Sequence, residues 1–337
     1  MKILFFARLF YPHIGGVEKH VLKISKILIN KGYTVTVITE NYQSLPPTAK
    51  FEGINIIRIN AGSNDWFKKF RVWRELFKHF QIIKNADIVH CHDIFFWYLP
   101  FRFIFPFKNN YVTFHGYEGN NIPNTRSIFM HKLAEKFSNG NLCIGNFYKK
   151  WYGTNATLVS FGAVDKKILT QSTKDNKITK DAMFLGRLEK ETGIMEYLKA
   201  IKELKLSLDV YGNGSLEEEA RKYVKDNNLK INFKGFVENA TDYIKDYRYI
   251  FTSRYLGILE AMASKRPVYA IYNNKTKKDY LEMTPFSKWV LISKNEEDLV
   301  KKFNSSNMYV DKAYSWVKSQ TWENMTNLYL ILWELKL

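Results

Sequence analysis

KILFFARLFYPHIGGVEKHVL, residues 2–22, opens on an unbroken apolar run behind Lys2, turns through Pro12 and the paired Gly15 and Gly16, and continues in a helical pattern. An apolar run without alternation is the mark of a strand covered on both faces, as in a parallel sheet under helices. The turn has neither the G-x-G-x-x-G spacing of a dinucleotide fingerprint nor the G-x-x-x-x-G-K of a triphosphate loop. Two adjacent glycines therefore bring bare backbone close to something else near a helix N-terminus.

Outward from this stretch the same alternation continues. The runs YTVTVIT (33–39), INIIRI (54–59), ADIVHCH (86–92) and NNYVTFH (109–115) are separated by amphipathic segments. The series restarts at Asp181 with DAMFLG, LSLDVYG, INFKGF, YRYIFTS and PVYAIY. Strands alternating with helices predict an α/β protein of two Rossmann-like domains, each a parallel sheet, facing across a cleft. The expected division is 1–163 plus about 317–337 for the first domain and 164–316 for the second. Val164 to Lys180 is polar and reads as a linker, and Tyr314 to Leu337 reads as one long closing helix that crosses back to the first domain. Parallel sheets bind ligands at the carboxyl ends of their strands. Gly15 and Gly16, His115, Arg187, Gly212, Gly214 and Gly257 all fall at such ends.

The 337 residues suffice for two cores. Lysine and arginine number 51 against 33 acidic residues, and residues 1–163 hold 21 of the basic and 9 of the acidic side chains. That excess predicts an anionic partner for the first half. Nucleic acid is not expected, because no zinc-finger spacing or RNP-type aromatic motif is present. Cys91 and Cys143 lack metal or redox spacing. The aromatic run Ile94 to Phe107 is broken by Pro100, Arg102 and Pro106 and is too short for a bilayer span. With no signal-peptide pattern at the start, a cytoplasmic location is expected.

The segments FLGRLEKETGI (184–194), VYGNGSLEEEA (210–220) and FTSRYLGILEAMASKRPVYA (251–270), with FYPHIGGVEKHV (10–21) and VSFGAVD (159–165), resemble in order and spacing glycosyltransferase family 4, the retaining enzymes of the GT-B fold. The resemblance spans nearly the whole chain. It implies transfer of a sugar from a nucleotide-diphosphate sugar, without metal or other cofactor, to a glycan or lipid-linked acceptor in cell-surface polysaccharide or glycolipid synthesis. Residue by residue, it implies that Gly15 and Gly16 close over the donor phosphates and that Arg187 meets the diphosphate. A lysine usually stands where this chain has Thr192, so the second polar contact falls to Lys190 or to the Thr192 hydroxyl. Gly212 and Gly257 belong to donor-binding loops, and Glu260 accepts ribose hydroxyls, its charge favoured by a helix N-terminus. His115 is placed beside the reacting sugar as the catalytic histidine, with Glu118 close by as a candidate proton acceptor. The chain departs from the pattern at Thr252, where a glutamate is usual, and at Ser253 to Leu256, which replace a glycine-aromatic-glycine stretch that contacts the sugar.

Each assignment has a structural alternative: a tight turn for the glycines, a strand cap for Arg187, a helix cap for Glu260 and a satisfied loop histidine for His115. HCHD (90–93) superficially suggests a metal site, but strand alternation puts His90 and His92 on one face and Cys91 on the other, too few ligands to converge. Trp66 to Lys84 places Trp66, Phe70, Trp73, Phe77 and Phe80 in one helical stripe flanked by Lys68, Lys69, Arg71, Arg74 and Lys78. Such a helix either covers a sheet, the reading slightly favoured for the stripe, or lies on an anionic membrane as a peripheral anchor on its inner face. A nucleotide-sugar 2-epimerase and a non-catalytic basic scaffold at a membrane are the alternative functions.

Overall fold

A computed structural model describes residues 1–13, 15–116, 122–171, 178–305 and 309–334. The N-terminal sheet contains β1 (Lys2–Ala7), β2 (Thr34–Glu40), β3 (Thr48–Phe51), β4 (Ile54–Ile59), β5 (Ile88–His92), β6 (Asn109–His115), β7 (Asn141–Ile144) and β8 (Leu158–Ser160). Their order is β3-β4-β2-β1-β5-β6-β7-β8, parallel except for β3, which runs against β4. The C-terminal sheet contains β9 (Lys180–Leu185), β10 (Leu208–Tyr211), β11 (Ile231–Gly235), β12 (Tyr247–Phe251), β13 (Val268–Ile271) and β14 (Leu291–Ser293), all parallel in the order β11-β10-β9-β12-β13-β14. In both sheets the first strand of the series lies inside, so the loops after β1 and β9 stand at the middle of their sheets.

Ile3 to Ala7 are buried on both faces of β1, as their unbroken apolar run predicts. The first helix, Gly16–Asn30, buries His20, Val21, Ile24, Ser25 and Leu28, one stripe at helical spacing, and Gly32 beyond its end adopts φ +87°.

The C-terminal segment differs from the single long helix expected. It forms two helices, Val310–Val317 and Trp322–Glu334, because the chain leaves one lobe for the other between them. The first packs on the C-terminal-lobe helix Tyr255–Ala263 and the second on the first helix of the chain. The break lies beside the other crossing: the Val164 amide donates to the Gln320 carbonyl at 2.8 Å, and Val164 and Thr321 form an isolated parallel bridge. The two connections between lobes thus run side by side.

The aromatic stripe of Lys68–Lys78 is also displaced from the core position slightly favoured from the sequence. Val72 and Leu76 make the buried face, while Trp66 is 70% exposed and Phe70 and Phe77 are exposed as well. Trp73 alone of the first four stripe residues is tied inward, donating to the Phe96 carbonyl at 2.9 Å. The neighbouring helix Phe95–Ile104 takes the space beneath, and Phe77 rests on its Phe101.

The closing helix completes the N-terminal core through a hydrogen-bonded chain. Trp333 Nε1 donates to His90 Nδ1 at 3.0 Å. An indole can only donate, so the neutral His90 ring carries its proton on Nε2 and gives it to Thr113 Oγ1, 2.8 Å away. Among the described residues Thr113 then has the Tyr329 hydroxyl as its acceptor at 2.8 Å, and Tyr329 donates to His20 Nε2 at 2.8 Å. His92 and His115 adjoin this chain, His92 Nδ1 lying 2.9 Å from His115 Nε2. Burial pushes His20 down to about 3 and holds His90, His92 and His115 well below the usual histidine range.

Two outcomes follow from this cluster. Tyr329→Phe leaves Thr113 and His20 without their shared partner and is expected to cost about 1–3 kcal/mol, read as a lower urea midpoint. Because the four rings stay neutral in the fold but charge near pH 6.5 once unfolded, the native state binds fewer protons below that pH. Stability is therefore present above about pH 6.5 and falls as pH drops below it, by up to about 1.4 kcal/mol per pH unit for each ring. Melting temperatures measured from pH 7.5 to 5 should fall more steeply for the wild type than for His20→Asn; equal slopes would contradict a neutral cluster.

Candidate functional site

The carboxyl ends of the two sheets face each other. From the N-terminal lobe come the turn after β1, Asp93 after β5 and His115 at the end of β6. From the other lobe come Arg187 after β9, Gly212 and Gly214 after β10, the helix Tyr255–Ala263 after β12, and the helix Lys275–Glu282 after β13. Three contacts join the rows. Lys19 Nζ donates to Glu260 Oε1 at 2.5 Å, a Cβ on Gly16 would lie 3.7 Å from Leu256, and Gly162 lies against Leu256 and Leu259. At the rim, Asp279 accepts from Trp151 Nε1 at 2.8 Å and pairs with Lys150 at 2.6 Å.

Glu260 is buried, and its charge is matched by Lys19 rather than by a helix terminus. It lies in the second turn of Tyr255–Ala263, beyond the reach of the N-terminal amides, which corrects the reason expected from the sequence. Burial works against the Lys19 ammonium, but the charge and hydrogen bond of Glu260, with Asp165 and Asp242 further away, outweigh it and raise its pKa above the ordinary lysine value. Lys19 was not singled out in the sequence, since its partner is 241 residues away.

The paired glycines do not serve a left-handed turn, for neither has a positive φ. Gly15, extended at φ −128°, caps the first helix under the carboxylate of Glu18, and Gly16 lies at ordinary contact distance from the opposite lobe. Close approach is what the position demands. Gly212, Gly214 and Gly257 are packing residues: a Cβ would stand 1.9 Å from the Gly186 carbonyl oxygen, 2.4 Å from that of Leu188 and 2.6 Å from Thr252 Oγ1, respectively. Their absent side chains let the loops after β9, β10 and β12 nest together.

The loop after β9 carries two exposed cations, Arg187 and Lys190. Arg187 is 66% exposed and holds Glu191 Oε1 at 2.6 Å; Arg254 reaches the same oxygen at 3.5 Å. Lys190 is exposed, with its carbonyl accepting from Asn273. Thr192 is buried, its hydroxyl 2.7 Å from the carbonyls of both Arg187 and Glu189, so it is spent inside the turn and not presented as a second polar contact. Ser215, through its hydroxyl and amide, grips Glu189 and holds that carboxyl below its usual range, tying this loop to the one after β10. Thr252 donates to the Leu185 carbonyl at 2.8 Å, a structural use of the position where a glutamate is usual.

His115 is half-buried, its amide held by Asp93 Oδ1 at 2.7 Å, and the Gly116 carbonyl accepts from Tyr148. His92 Nε2 is buried without a partner among the described residues. A bare lone pair there costs less than a bare N–H, so His92 protonates Nδ1 and donates to His115 Nε2, leaving His115 to offer Nδ1–H. A neutral ring so fixed is a hydrogen-bond donor, not an acid. Glu118 lies outside the described residues. His90 and His92 face the closing helix, as strand alternation predicts, and are absorbed by the aromatic core.

Comparison with known proteins accords with this arrangement. Residues 14–152 match the model of Glycosyltransferase Family 4, and residues 179–303 match that of Glycosyl transferases group 1. An uncharacterized glycosyltransferase of Methanocaldococcus jannaschii is 25% identical, over 94% of this chain and 95% of that one. Among solved structures, the sucrose-phosphate synthase of Thermosynechococcus elongatus superposes with a TM-score of 0.78 at 14% identity, covering 98% of each chain. Anabaena HepE, determined with UDP and glucose, superposes with a TM-score of 0.72 at 13% identity, again covering 98% of each. Two family models, one on each lobe, together with a fold shared from end to end, place this chain in glycosyltransferase family 4, as a transferase of the GT-B fold.

Proposed function

We propose that the chain moves a sugar, with retention at the anomeric carbon, from a nucleotide-diphosphate sugar to an acceptor held by its basic N-terminal lobe, and that it does so without a metal. The observation that carries this reading is the exposed Arg187 after the central strand β9, in the lobe whose Glu260 meets Lys19 of the other lobe. HepE was solved with UDP and with UDP-glucose, which supports a nucleotide sugar as the donor class.

The chemistry asks little of the protein beyond charge and placement. As the bond from the anomeric carbon to the diphosphate breaks, negative charge grows on the leaving oxygen. Arg187 and the first amides of the helix Ile194–Leu204 meet that charge. The acceptor hydroxyl forms the new bond on the same face and passes its proton to the departing phosphate, so no protein nucleophile is needed. His115 donates through Nδ1–H to a sugar hydroxyl and holds the ring for attack. Glu260 exchanges the Lys19 ammonium for ribose hydroxyls when donor enters.

The acceptor is read as a lipid-linked or glycan molecule in cell-surface polysaccharide or glycolipid synthesis, met at an anionic membrane. Supporting this, Trp66, Phe67, Phe70 and Phe77 of one segment and Phe103 and Phe107 of the next lie exposed, Phe107 at 98%. Cations line the patch: Lys69 sits 4.5 Å over the Trp66 ring, with Arg74 and Lys78 exposed nearby. Among the described residues no helix is long and apolar enough to cross a membrane, so attachment by this patch would be peripheral.

Two experiments test these readings. In a thermal-shift panel of nucleotide sugars without metal, a cognate donor at a hundredfold its dissociation constant should stabilise the chain by about 2.7 kcal/mol. Arg187→Ala should weaken that donor by tenfold or more while leaving the unliganded melting temperature unchanged, since the side chain is largely exposed. A panel in which nothing stabilises the protein removes the assigned donor pocket. For the membrane, flotation with phosphatidylserine vesicles should fail at high salt and in the double variant Trp66→Ala, Phe70→Ala; retention that ignores both would reject the patch.

A further inference from the structure

Glu260 cannot give both carboxylate oxygens to a ligand while it holds Lys19. Its side chain is only 6% exposed, and Oε1 accepts from the Lys19 ammonium at 2.5 Å. Lys19 has a way out that Glu260 lacks, since its side chain is 25% exposed. The lysine backbone belongs to the glycine turn: its amide donates to the Gly15 carbonyl at 2.9 Å, in the first turn of the helix Gly16–Asn30. One turn therefore both approaches the opposite lobe and delivers an ammonium to it.

The other carboxylates near this ammonium have lysines of their own. Asp165 and Asp242 add to the pull on Lys19 from further away. Asp165 holds Lys23 at 2.8 Å, and Asp242 lies 3.5 Å from Lys167. Lys23 stands four residues after Lys19, on the same side of the helix, and Asp165 follows Val164 at the crossing between lobes. Two ionic rungs thus leave one helix, the first to Glu260 in the cleft and the second to the crossing. Among the described residues, Glu260 is the carboxylate in direct contact with Lys19.

A ligand that takes Glu260 must part a buried ion pair and offset that loss with hydrogen bonds of its own. Ribose presents two adjacent hydroxyls, donors that match the two oxygens of one carboxylate. A sugar without them has nothing to exchange for the ammonium. We propose that Lys19 is a specificity-determining residue, an internal competitor that yields Glu260 only to a nucleotide carrying both ribose hydroxyls. This rests on the donor-site reading above and adds to it a residue of the opposite lobe that discriminates among nucleotides. No covalent bond is made or broken; hydroxyl donors replace an ammonium, which moves toward solvent.

Titration calorimetry of the whole chain tests this with UDP, GDP and ADP, each beside its dideoxy form lacking both ribose hydroxyls. Wild type should bind one ribonucleotide more tightly than its dideoxy form. K19Q removes the competing charge and should bind that ribonucleotide about tenfold more tightly, with the dideoxy form unchanged. K19R keeps the charge and grips a carboxylate with two N–H donors, so it should bind the ribonucleotide about threefold more weakly, again without change for the dideoxy form. Urea denaturation monitors folding, and if K19Q does not fold the K19R comparison decides alone. A lysine that only holds the lobes in shape would weaken both forms alike in K19Q, which would overturn the proposal. Wild type binding no ribonucleotide, or binding both forms equally, would overturn the donor-site reading of Glu260 and this proposal with it. Wild type discriminating as expected, with K19Q no tighter or K19R unchanged for the ribonucleotide, would overturn this proposal alone.

Discussion

The buried ion pair between Lys19 and Glu260 is the constraint on which the rest of the molecule turns. One partner stands in the first turn of the first helix and the other in the helix after β12, so the contact joins the two lobes. Removing one member of a buried pair typically costs about 3–5 kcal/mol because the other charge is stranded. A lysine and a glutamate in these places are therefore tolerable only while the lobes meet. Any change in the angle between lobes must part them or offer Glu260 another partner. A donor that supplies hydroxyls to Glu260 would be such a partner, which couples occupancy of the cleft to its geometry.

The chain's path supports that coupling. The crossings at Val164 and Gln320 are hydrogen-bonded to each other, so the lobes are joined at a narrow double strand of backbone while the cleft is bridged by side chains. The closing helix then belongs to the N-terminal lobe energetically: its Tyr329 and Trp333 end the histidine chain, and the Trp333 carbonyl accepts from Tyr111. His115 sits at the cleft end of the same cluster, where its tautomer follows from the neighbouring His92.

Electrostatics divide the labour between lobes. The N-terminal half carries the larger basic excess, and its exposed aromatic and cationic surface gathers around the helices Lys68–Lys78 and Phe95–Ile104. On the other lobe Arg187, after β9, and Arg254, after β12, share the Glu191 carboxylate. The positions where acidic and lysine residues are usual, Thr252 and Thr192, have both turned inward to carbonyls. Cations close to these loops come from Arg187, Arg254 and, beneath the turn, Lys277.

Sequence alone determined the two α/β lobes, the parallel strands and the placing of Gly15, His115, Arg187 and Gly257 after strand ends. Those follow from local period and from where a chain must turn, and β1 in particular is an apolar run buried on both faces. The short antiparallel β3 and the edge strands β8 and β14 carried too few residues to register as periodic. Only the tertiary structure decided that Val72 and Leu76, rather than Trp66, Phe70 and Phe77, are buried, since the neighbouring helix lies beneath. It also decided which carboxylate meets Lys19, where the Thr192 hydroxyl goes, and that a lysine 86 residues further on lies under the same turn. A local pattern states which side chains prefer burial, but the partner of a buried charge is chosen by packing between segments that the sequence keeps far apart.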